Sequence, residues 1–342
     1  CGPVLRGALY DVYPLDDAQH SLIEAYSAEF EQKIVDAVRQ ALADLQPVTL
    51  YAGQGTAGFA VNRRNNKENE VPEKIRQGAL NGPVDHAVPV LAARLPNGSL
   101  KAVVFGYACH NTTMDFYQWC GDYAGFAQMA LEESHPDAVA MFFMGCGADQ
   151  NPLPRRHLRL CRRYGQMLAS AVEEVLLRPM EPLEPEMQTD FEFVTLHLDA
   201  PPSREELERF ASSGVAHYER WARRLLEQLD GGPPLARTYP YPVQAWKLGD
   251  RQLWITLGGE VTVEYSLGFK KQFGSRTWVT GYCNDVMAYI PSLNVLEGGG
   301  YEGSTSMIVY GQPALRWAED IEEIINAGVN RVVERIGAPA DE

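Results

Sequence analysis

Polar side chains that can bind a metal or transfer a proton follow several apolar runs of the sequence. The run at 103–108 is followed by His110, within "YACHNTTMDF". Glu260 follows a second apolar run, within "LGGEVT", and Tyr289 lies beyond a third, within "GYCNDVMAY". Imidazole and carboxylate groups bind metals or exchange protons when they converge. Because ligand sites in mixed sheets lie at strand ends, these side chains are candidates for one site.

Each of these residues also has an ordinary structural interpretation. A histidine at a strand end is often only hydrogen-bonded, and Glu260 can stabilise the start of a following helix through the helix dipole. Tyr289 can belong to the core, and Arg63 can be a solvated loop charge. The segment "GCGADQNP" (145–152) can be a turn or a phosphate-binding nest, but it lacks the Lys-Ser/Thr ending of a P-loop. Spacing alone therefore predicts only a candidate His/Glu/Tyr metal site.

Charge and composition exclude some classes of partner. The chain of 342 residues is 45% hydrophobic and carries a net charge of −15, with a pI near 5.0, which argues against nucleic acid as the main partner. No apolar run approaches the roughly 20 residues that a membrane-spanning helix needs. The six cysteines are too sparse for a disulfide scaffold and form no CxxC pair, so no structural zinc knot is predicted. The cysteines do not decide the cellular compartment.

Apolar periodicity predicts interleaved helices and strands. The predicted helices are 17–45, 122–134, one ending near 178, 203–229, one from 261 and a last one near the end of the sequence. The predicted strands are 48–53, 57–61, 87–95, 99–108, 138–144, 188–198, 242–248, 251–257 and 276–281. The strand at 138–144 is continuously apolar, which predicts burial on both faces. The pattern predicts a mixed α/β fold in a single domain over 1–342, with 203–234 as a helical insertion.

Eight segments together resemble the catalytic domain of the neutral (non-lysosomal) ceramidases, which are zinc-dependent amidases. They occur in the order of that family over about residues 50 to 311: "FAVNRR", "GPVDHAVPVL", "FGYACHNTTM", "GDYAGFAQMALE", "GCGADQNP", "LGGEVTVEY", "GYCNDVMAYIP" and "GGYEGSTS". The resemblance implies a mixed β-sheet core with flanking helices. It also implies hydrolysis of a linear amide, such as N-acylsphingosine or a related N-acyl substrate.

The resemblance implies one zinc site. The family holds its zinc with two histidines, a glutamate and a tyrosine, of which three fall on His110, Glu260 and Tyr289. The other histidine belongs to a His-Thr-His motif followed by Ser-Gly-Pro or Cys-Gly-Pro. Because this sequence begins "CGPVLRG", we expect that motif immediately upstream of Cys1.

The resemblance also assigns substrate-site residues. Arg63 and Tyr301 fall on residues that line the substrate site of the family, while Asn151 falls on a catalytically important serine. Asparagine cannot act as a nucleophile, although it can donate a hydrogen bond to an oxyanion. Asp122 or Asp149 is a candidate to hold the other ring nitrogen of the zinc-binding histidine. The immunoglobulin-like domain of the family is expected to be missing, which favours amides in general over ceramide itself.

Two other functions remain open at this point. Cys1 could be an amino-terminal nucleophile, because an α-amine with a pKa near 8 can serve as its base. A non-catalytic binding relative is the other alternative, since Asn151 replaces the family serine. The family resemblance favours a secreted or periplasmic protein, with a cytoplasmic one as the alternative, and the oligomeric state is not predicted.

Overall fold

Two four-stranded sheets carry the helices of this protein. The computed structural model describes residues 5, 6 and 14–337. Within them the α-helices are α1 (Asp17–Ala43), α2 (Val71–Gln77), α3 (Asp122–Ser134), α4 (Leu158–Leu177), α5 (Arg204–Ala211), α6 (Ala216–Gly231), α7 (Val263–Phe273), α8 (Leu293–Glu297), α9 (Ser306–Val309) and α10 (Ile321–Arg335). A π-helical turn covers Tyr301–Thr305.

The strands alternate with these helices along most of the chain. They are β1 (Thr49–Thr56), β2 (Ala60–Asn62), β3 (Ala87–Arg94), β4 (Leu100–Tyr107), β5 (Val139–Met144), β6 (Gln150–Pro152), β7 (Met187–His197), β8 (Thr238–Leu248), β9 (Gln252–Leu257), β10 (Glu260–Val261), β11 (Trp278–Thr280) and β12 (Tyr289–Ile290). The predicted mixed α/β fold is confirmed.

The two large sheets repeat one topology. The first has the order β1-β3-β4-β5 and the second the order β7-β8-β9-β11. Each contains two antiparallel pairings followed by one parallel pairing at the edge. A parallel pair needs a long crossover, which α3 supplies in the first sheet and α7 in the second. The sequence shows no matching internal repeat, so this symmetry is visible only in the structure.

The parallel edges of the two sheets meet. Gly145, after β5, forms an antiparallel bridge with Thr280 of β11, and the Gly281 amide donates to the Met144 carbonyl at 3.2 Å. The ring of Phe143 lies 4.8 Å from that of Trp254 on β9. This junction brings the loops that follow β4, β5, β9 and β11 to one place.

Each sheet has its own hydrophobic core. Phe105, Tyr123 and Leu168 belong to the core between the first sheet and α3 and α4. The second sheet packs against α10, and their core contains Val243 and Val329. At about 25 cal/mol per Å² of apolar surface removed from water, these two cores supply the main driving force for folding.

The predicted helical insertion at 203–234 forms two helices, α5 and α6, rather than one long helix. A capping box begins α5, because Ser203 and Glu206 exchange side-chain hydrogen bonds with backbone amides. Gly214, with φ +77°, lies between the two helices. Trp221 is buried in a small cluster with Ile308 and donates from Nε1 to the Gln312 carbonyl at 2.8 Å. Whether the chain is one domain with an insertion stays a prediction.

Two further element predictions need correction. The strand at 138–144 is not buried on both faces: Val139 and Met141 are 54% and 43% exposed, whereas Ala140 between them is buried, so only one face of β5 is covered at this end. The segment between the predicted strand at 276–281 and the last helix, for which the sequence analysis gives no helix or strand, contains β12, α8, the π-helical turn and α9. Helix α1 is confirmed, but its apolar positions are largely exposed, and Ser27 is its only buried residue within the described part of the chain. None of the described helices is long and apolar enough to cross a bilayer.

Two glycines in helices test the packing of α10 on the second sheet. A Cβ on Gly328 would lie 2.6 Å from Cγ1 of Val194, whereas a Cβ on Gly268 in α7 would meet no described atom within 4 Å. Alanine is favoured over glycine in a helix by about 1 kcal/mol, so Gly268→Ala should raise the free energy of unfolding by about 0.5–1 kcal/mol. Gly328→Ala should lower it by about 1–3 kcal/mol, because the β-branched valine is stiff. Urea unfolding measures both changes, and equal stabilisation by the two variants would contradict the close contact.

Candidate functional site

The segment 145–152 connects the loops that carry the candidate site residues. Its Gln150 carbonyl accepts a hydrogen bond from the His110 amide at 3.0 Å, and its Asp149 carbonyl accepts one from the Arg63 amide at 2.9 Å. Its Ala148 amide donates to the Val261 carbonyl at 3.1 Å. Through three backbone hydrogen bonds, one segment fixes the backbone around His110, Arg63 and Glu260.

Gly147 and Asp149 of "GCGADQNP" allow the segment 145–152 to pass close to the neighbouring loops. A Cβ on Gly147 would lie 2.6 Å from the Cys109 amide nitrogen, so only glycine lets the two chains approach. The Asp149 carboxylate accepts from the Val263 amide at 2.9 Å and from Nδ2 of Asn62 at 3.0 Å. Burial raises the pKa of Asp149. The segment is therefore a structural junction, with its aspartate satisfying buried donors.

The structure brings His110, Glu260 and Tyr289 together. Nε2 of His110 lies 3.6 Å from Oε2 of Glu260 and 3.4 Å from the phenolic oxygen of Tyr289. Glu260 and Tyr289 are also direct partners in the parallel pair β10 and β12. All three residues are buried. Side chains separated by up to 179 positions in the sequence thus share one small volume.

Two tyrosines that the sequence analysis missed hold this group in place. The Tyr282 hydroxyl lies 2.8 Å from Oε2 of Glu260 and 3.3 Å from Nδ1 of His110, and Tyr310 donates to the other oxygen of Glu260. Tyr282 has a φ of +60°, an unusual conformation for a tyrosine. Tyr282 lies within the matched segment "GYCNDVMAYIP" and could have been found there. Tyr310 has no comparable sequence signal, because it lies outside every matched segment.

Arg63 extends the site on the side of Tyr289. Its Nη2 donates to the Tyr289 hydroxyl at 3.2 Å and its Nη1 to Oδ1 of Asn151 at 3.4 Å. Its Nε donates to Glu302 at 2.7 Å, and its guanidinium carbon lies 5.9 Å from the centre of the Tyr301 ring. The strand pair β2 and β6 aligns Val61 with Asn151, which places Arg63 next to that asparagine. All six predicted site residues are thus brought together, and their roles remain predictions.

Burial controls the charges at the site. It lowers the pKa of His110 to about 4, although Glu260 acts in the opposite direction, so the imidazole is neutral at pH 7. Burial, with Glu260, raises the pKa of Tyr289, while Arg63 acts to lower it. Burial acts to lower the pKa of Arg63 as well, but Tyr289 and Glu302 outweigh that effect and raise it. The site therefore contains a neutral histidine, a neutral tyrosine and a permanently charged arginine.

Two of the donor separations in this group resemble those of a tetrahedral zinc site. With bonds of about 2.0–2.1 Å, the donors of such a site lie roughly 3.3–3.4 Å apart, close to the 3.4 and 3.6 Å measured from His110 Nε2. A neutral imidazole is the form that binds metals. Within residues 5, 6 and 14–337 no group of three or more His, Cys, Asp or Glu side chains could hold a metal ion, so the candidate centre needs the phenol and a further donor.

Neither predicted aspartate is the hydrogen-bond partner of His110. The Nε2 atom of His110 lies 2.9 Å from the Ala148 carbonyl, and its Nδ1 faces Tyr282. Because a carbonyl oxygen only accepts, Nε2 carries the ring proton in this arrangement, and a metal ion at Nε2 would have to replace that hydrogen bond. Asp122 instead accepts from the Met114 and Tyr123 amides, at 3.0 and 2.8 Å. Cys1, the candidate amino-terminal nucleophile, lies outside the described residues.

Comparison with solved structures identifies the fold as ceramidase-like. The neutral ceramidase from Pseudomonas aeruginosa matches with a TM-score of 0.61 and 17% sequence identity, over 90% of this chain and 56% of that chain. A ceramidase complexed with C2 matches with a TM-score of 0.63 and 17% identity, over 89% of this chain and 56% of that chain. This chain thus spans little more than half the length of either solved ceramidase.

The sequence itself gives no such match. No protein-family model matches it, and a search of curated proteins finds no significant match. The likeness therefore rests on the fold, and the activity has to be argued from the residues.

Glu302 provides a test of how the arginines are held at the site. It is 6% exposed and accepts from both Arg63 and Arg64, each at 2.7 Å. Burial acts to raise the Glu302 pKa, but the two arginines outweigh it and hold that pKa below 4.5. Because the pKa is lowered on folding, the ion pairs stabilise the protein above pH 4.5 and lose this effect as the pH falls through the folded pKa. Glu302→Gln should lower the free energy of unfolding at pH 7 by about 2–4 kcal/mol.

Urea unfolding between pH 3 and pH 7 measures this effect, and the difference from wild type should shrink below pH 4.5. Glu297→Gln, on the exposed face of α8, is the control and should change stability by less than about 0.5 kcal/mol. A loss in Glu302→Gln that stays constant with pH would contradict a charge-based role.

Proposed function

We propose that this protein is a zinc-dependent hydrolase of linear amide bonds, acting on N-acyl substrates in the manner of a ceramidase. The observation that carries the proposal is the convergence of His110, Glu260 and Tyr289, with donor separations of 3.4 and 3.6 Å from one imidazole nitrogen. A ceramidase-like fold places these loops at the meeting edges of two sheets. The two solved ceramidases of this fold support the reaction class.

His110, Glu260 and Tyr289 would hold the zinc ion, together with a further donor. The ion would supply Lewis acidity towards an amide carbonyl and a water of pKa near 7. Tyr282 and Tyr310 orient the Glu260 carboxylate, since each donates to one of its oxygens. Tyr282 also faces Nδ1 of His110. These contacts fix the Glu260 and His110 side chains before any ligand arrives, which reduces the cost of ordering them.

Arg63 and Asn151 are placed to stabilise negative charge on the carbonyl oxygen of the substrate. Glu302 holds Nε of Arg63, which directs the two terminal nitrogens towards Tyr289 and Asn151. Because Asn151 accepts from Arg63 through Oδ1, its Nδ2 group can donate to the developing oxyanion. Tyr301 stacks near the same guanidinium and bounds the site. In the overall reaction, water adds its oxygen to the carbonyl carbon, the C–N bond breaks, and the amine leaves with a proton.

Removing one carboxylate tests the metal assignment. Glu260→Gln, in the protein with any segment that precedes Cys1 in the gene, should lose stoichiometric zinc and hydrolysis of N-acyl amides, because an amide is a far weaker zinc ligand than a carboxylate. Metal analysis and release of free amine measure the two effects. Glu173→Gln is a matched control, since Glu173 also pairs with a histidine, His135, at 3.0 Å, but away from the site. Retention of stoichiometric zinc by Glu260→Gln would refute the assignment.

The amino-terminal nucleophile is tested separately. A metal-dependent hydrolase should tolerate Cys1→Ala and lose nearly all activity on treatment with a chelator, with recovery on addition of zinc. An enzyme that uses Cys1 as its nucleophile should behave in the opposite way. Assay of wild type and Cys1→Ala with and without chelator separates the two mechanisms.

A further inference from the structure

A cavity of about 440 Å³ opens beside Arg63 and is lined mainly by charged and polar groups. We call it the arginine cavity, and its lining residues are Arg63, Arg64, Asn66, Glu68, Asn151, Leu153, Arg155, Tyr301 and Glu302. Leu153 and the ring of Tyr301 are the apolar groups among these described lining residues. Such a lining suits a polar group rather than an alkyl chain, because an alkyl chain would strip water from charged side chains without replacing its hydrogen bonds.

The cavity is positively charged. Three guanidinium groups line it against two carboxylates. Arg63 and Arg64 share the single carboxylate of Glu302, while Arg155 pairs with Glu68. The neighbouring Arg156 pairs with both Glu68 and Asp115. The protein as a whole carries a net charge of −15. The positive charge of the cavity is therefore a local feature of opposite sign to the rest of the molecule. An anionic ligand is therefore what the cavity favours.

Arg155 is shaped for recognising an oxyanion. It donates to Glu68 from Nε at 3.1 Å and from Nη2 at 2.8 Å, and to Thr112 from Nη1 at 3.4 Å. A guanidinium has five N–H groups, and the described residues accept from three of them. Its side chain is 20% exposed, so the guanidinium is held in place and partly desolvated. Glu68 occupies the Nε and Nη2 side of the guanidinium, which leaves one N–H on Nη1 and one on Nη2 for carboxylate or phosphate oxygens of a ligand.

The cavity is continuous with the proposed reaction site. Arg63 lies in its wall and donates to the Tyr289 hydroxyl at 3.2 Å. Thr112, the hydroxyl partner of Arg155, is two residues from His110 in the same loop. An anion in the cavity would therefore lie within a few bonds of an amide carbonyl placed against Arg63 and Asn151.

We propose that the arginine cavity binds an anionic group of the substrate, so that the preferred substrates are amides that carry a carboxylate or a phosphate within a few bonds of the scissile C–N bond. This inference rests on the proposed amide hydrolysis and adds the substrate class to it. Arg155 is its specificity-determining residue. N-acylated amino acids are the simplest compounds of this class.

Matched amides test the inference. N-hexanoylglycine carries a carboxylate, N-hexanoyl-O-phosphoethanolamine a phosphate, and N-hexanoylethanolamine no charge. Wild type should show kcat/KM at least about tenfold higher for one anionic amide than for the neutral amide, the size expected of one charge-assisted hydrogen-bonded pair. The comparison of the two anions identifies which one the cavity takes. Equal hydrolysis of all three would overturn the inference and leave the proposed function standing.

Variants of Arg155 identify the residue responsible. In Arg155→Gln the ratio of anionic to neutral kcat/KM should fall about tenfold, mainly through KM for the anionic amide. Arg155→Lys keeps the charge but not the planar guanidinium, and should retain part of the preference. If Arg155→Gln does not fold, the lysine variant carries the test, and a preference equal to that of wild type would overturn the role of Arg155.

A control and a binding measurement separate this inference from the proposed function. Arg178→Gln removes the same charge at an exposed position whose ion pair with Glu174 spans 3.5 Å, and it should leave the ratio unchanged. If no amide is hydrolysed, the proposed function fails, and calorimetry then decides the inference. Binding of N-hexanoylglycine or its phosphate counterpart about tenfold tighter than the neutral amide supports the anionic subsite. Equal affinity for all three overturns it.

Discussion

The candidate site depends on one crossing of backbone, where the segment 145–152 passes between the loops after β4 and β9. Buried backbone amides and carbonyls need hydrogen-bond partners, and at this crossing the segment and the loops supply them to one another. The segment accepts from the amides of Arg63 and His110 and donates to the carbonyl of Val261. Gly147 allows this approach, and Asp149 satisfies two further buried donors. The segment therefore positions the backbone that carries the candidate side chains, whose own hydrogen bonds then orient them.

The repeated topology of the two sheets explains why the site lies where it does. Each sheet ends in a parallel edge strand, and the loop before the crossover helix carries one candidate ligand: His110 after β4 and Glu260 after β9. When β5 and β11 meet at the Gly145–Thr280 bridge, these equivalent loops face each other. Each sheet therefore positions its own candidate ligand through local structure. A rigid junction between the sheets is then enough to bring the two ligands together.

Burial of charge links this junction to the cavity beside it. Arg63 is half-buried against Tyr289 and Asn151, and a desolvated guanidinium needs a carboxylate to offset its desolvation. Glu302 serves that purpose for Arg63 and Arg64 together, which leaves one positive charge in excess. Arg155 and Arg156 also share one carboxylate, that of Glu68, although Arg156 pairs with Asp115 as well. The positive character of the arginine cavity thus follows from how few carboxylates accompany its arginines.

The sequence by itself determined the local structure and the identity of the candidate residues. Periodicity and turn signals predict most helices and strands, because these depend on neighbouring side chains, and the ordered segments single out His110, Glu260, Tyr289 and Arg63. Only the tertiary structure decided that β5 is an edge strand and that the two sheets repeat one topology. It alone revealed Tyr282, Tyr310 and Glu302 as partners of the site. These features depend on contacts between residues far apart in the chain, such as the 179 positions between His110 and Tyr289, and no local pattern encodes which distant strand ends will meet.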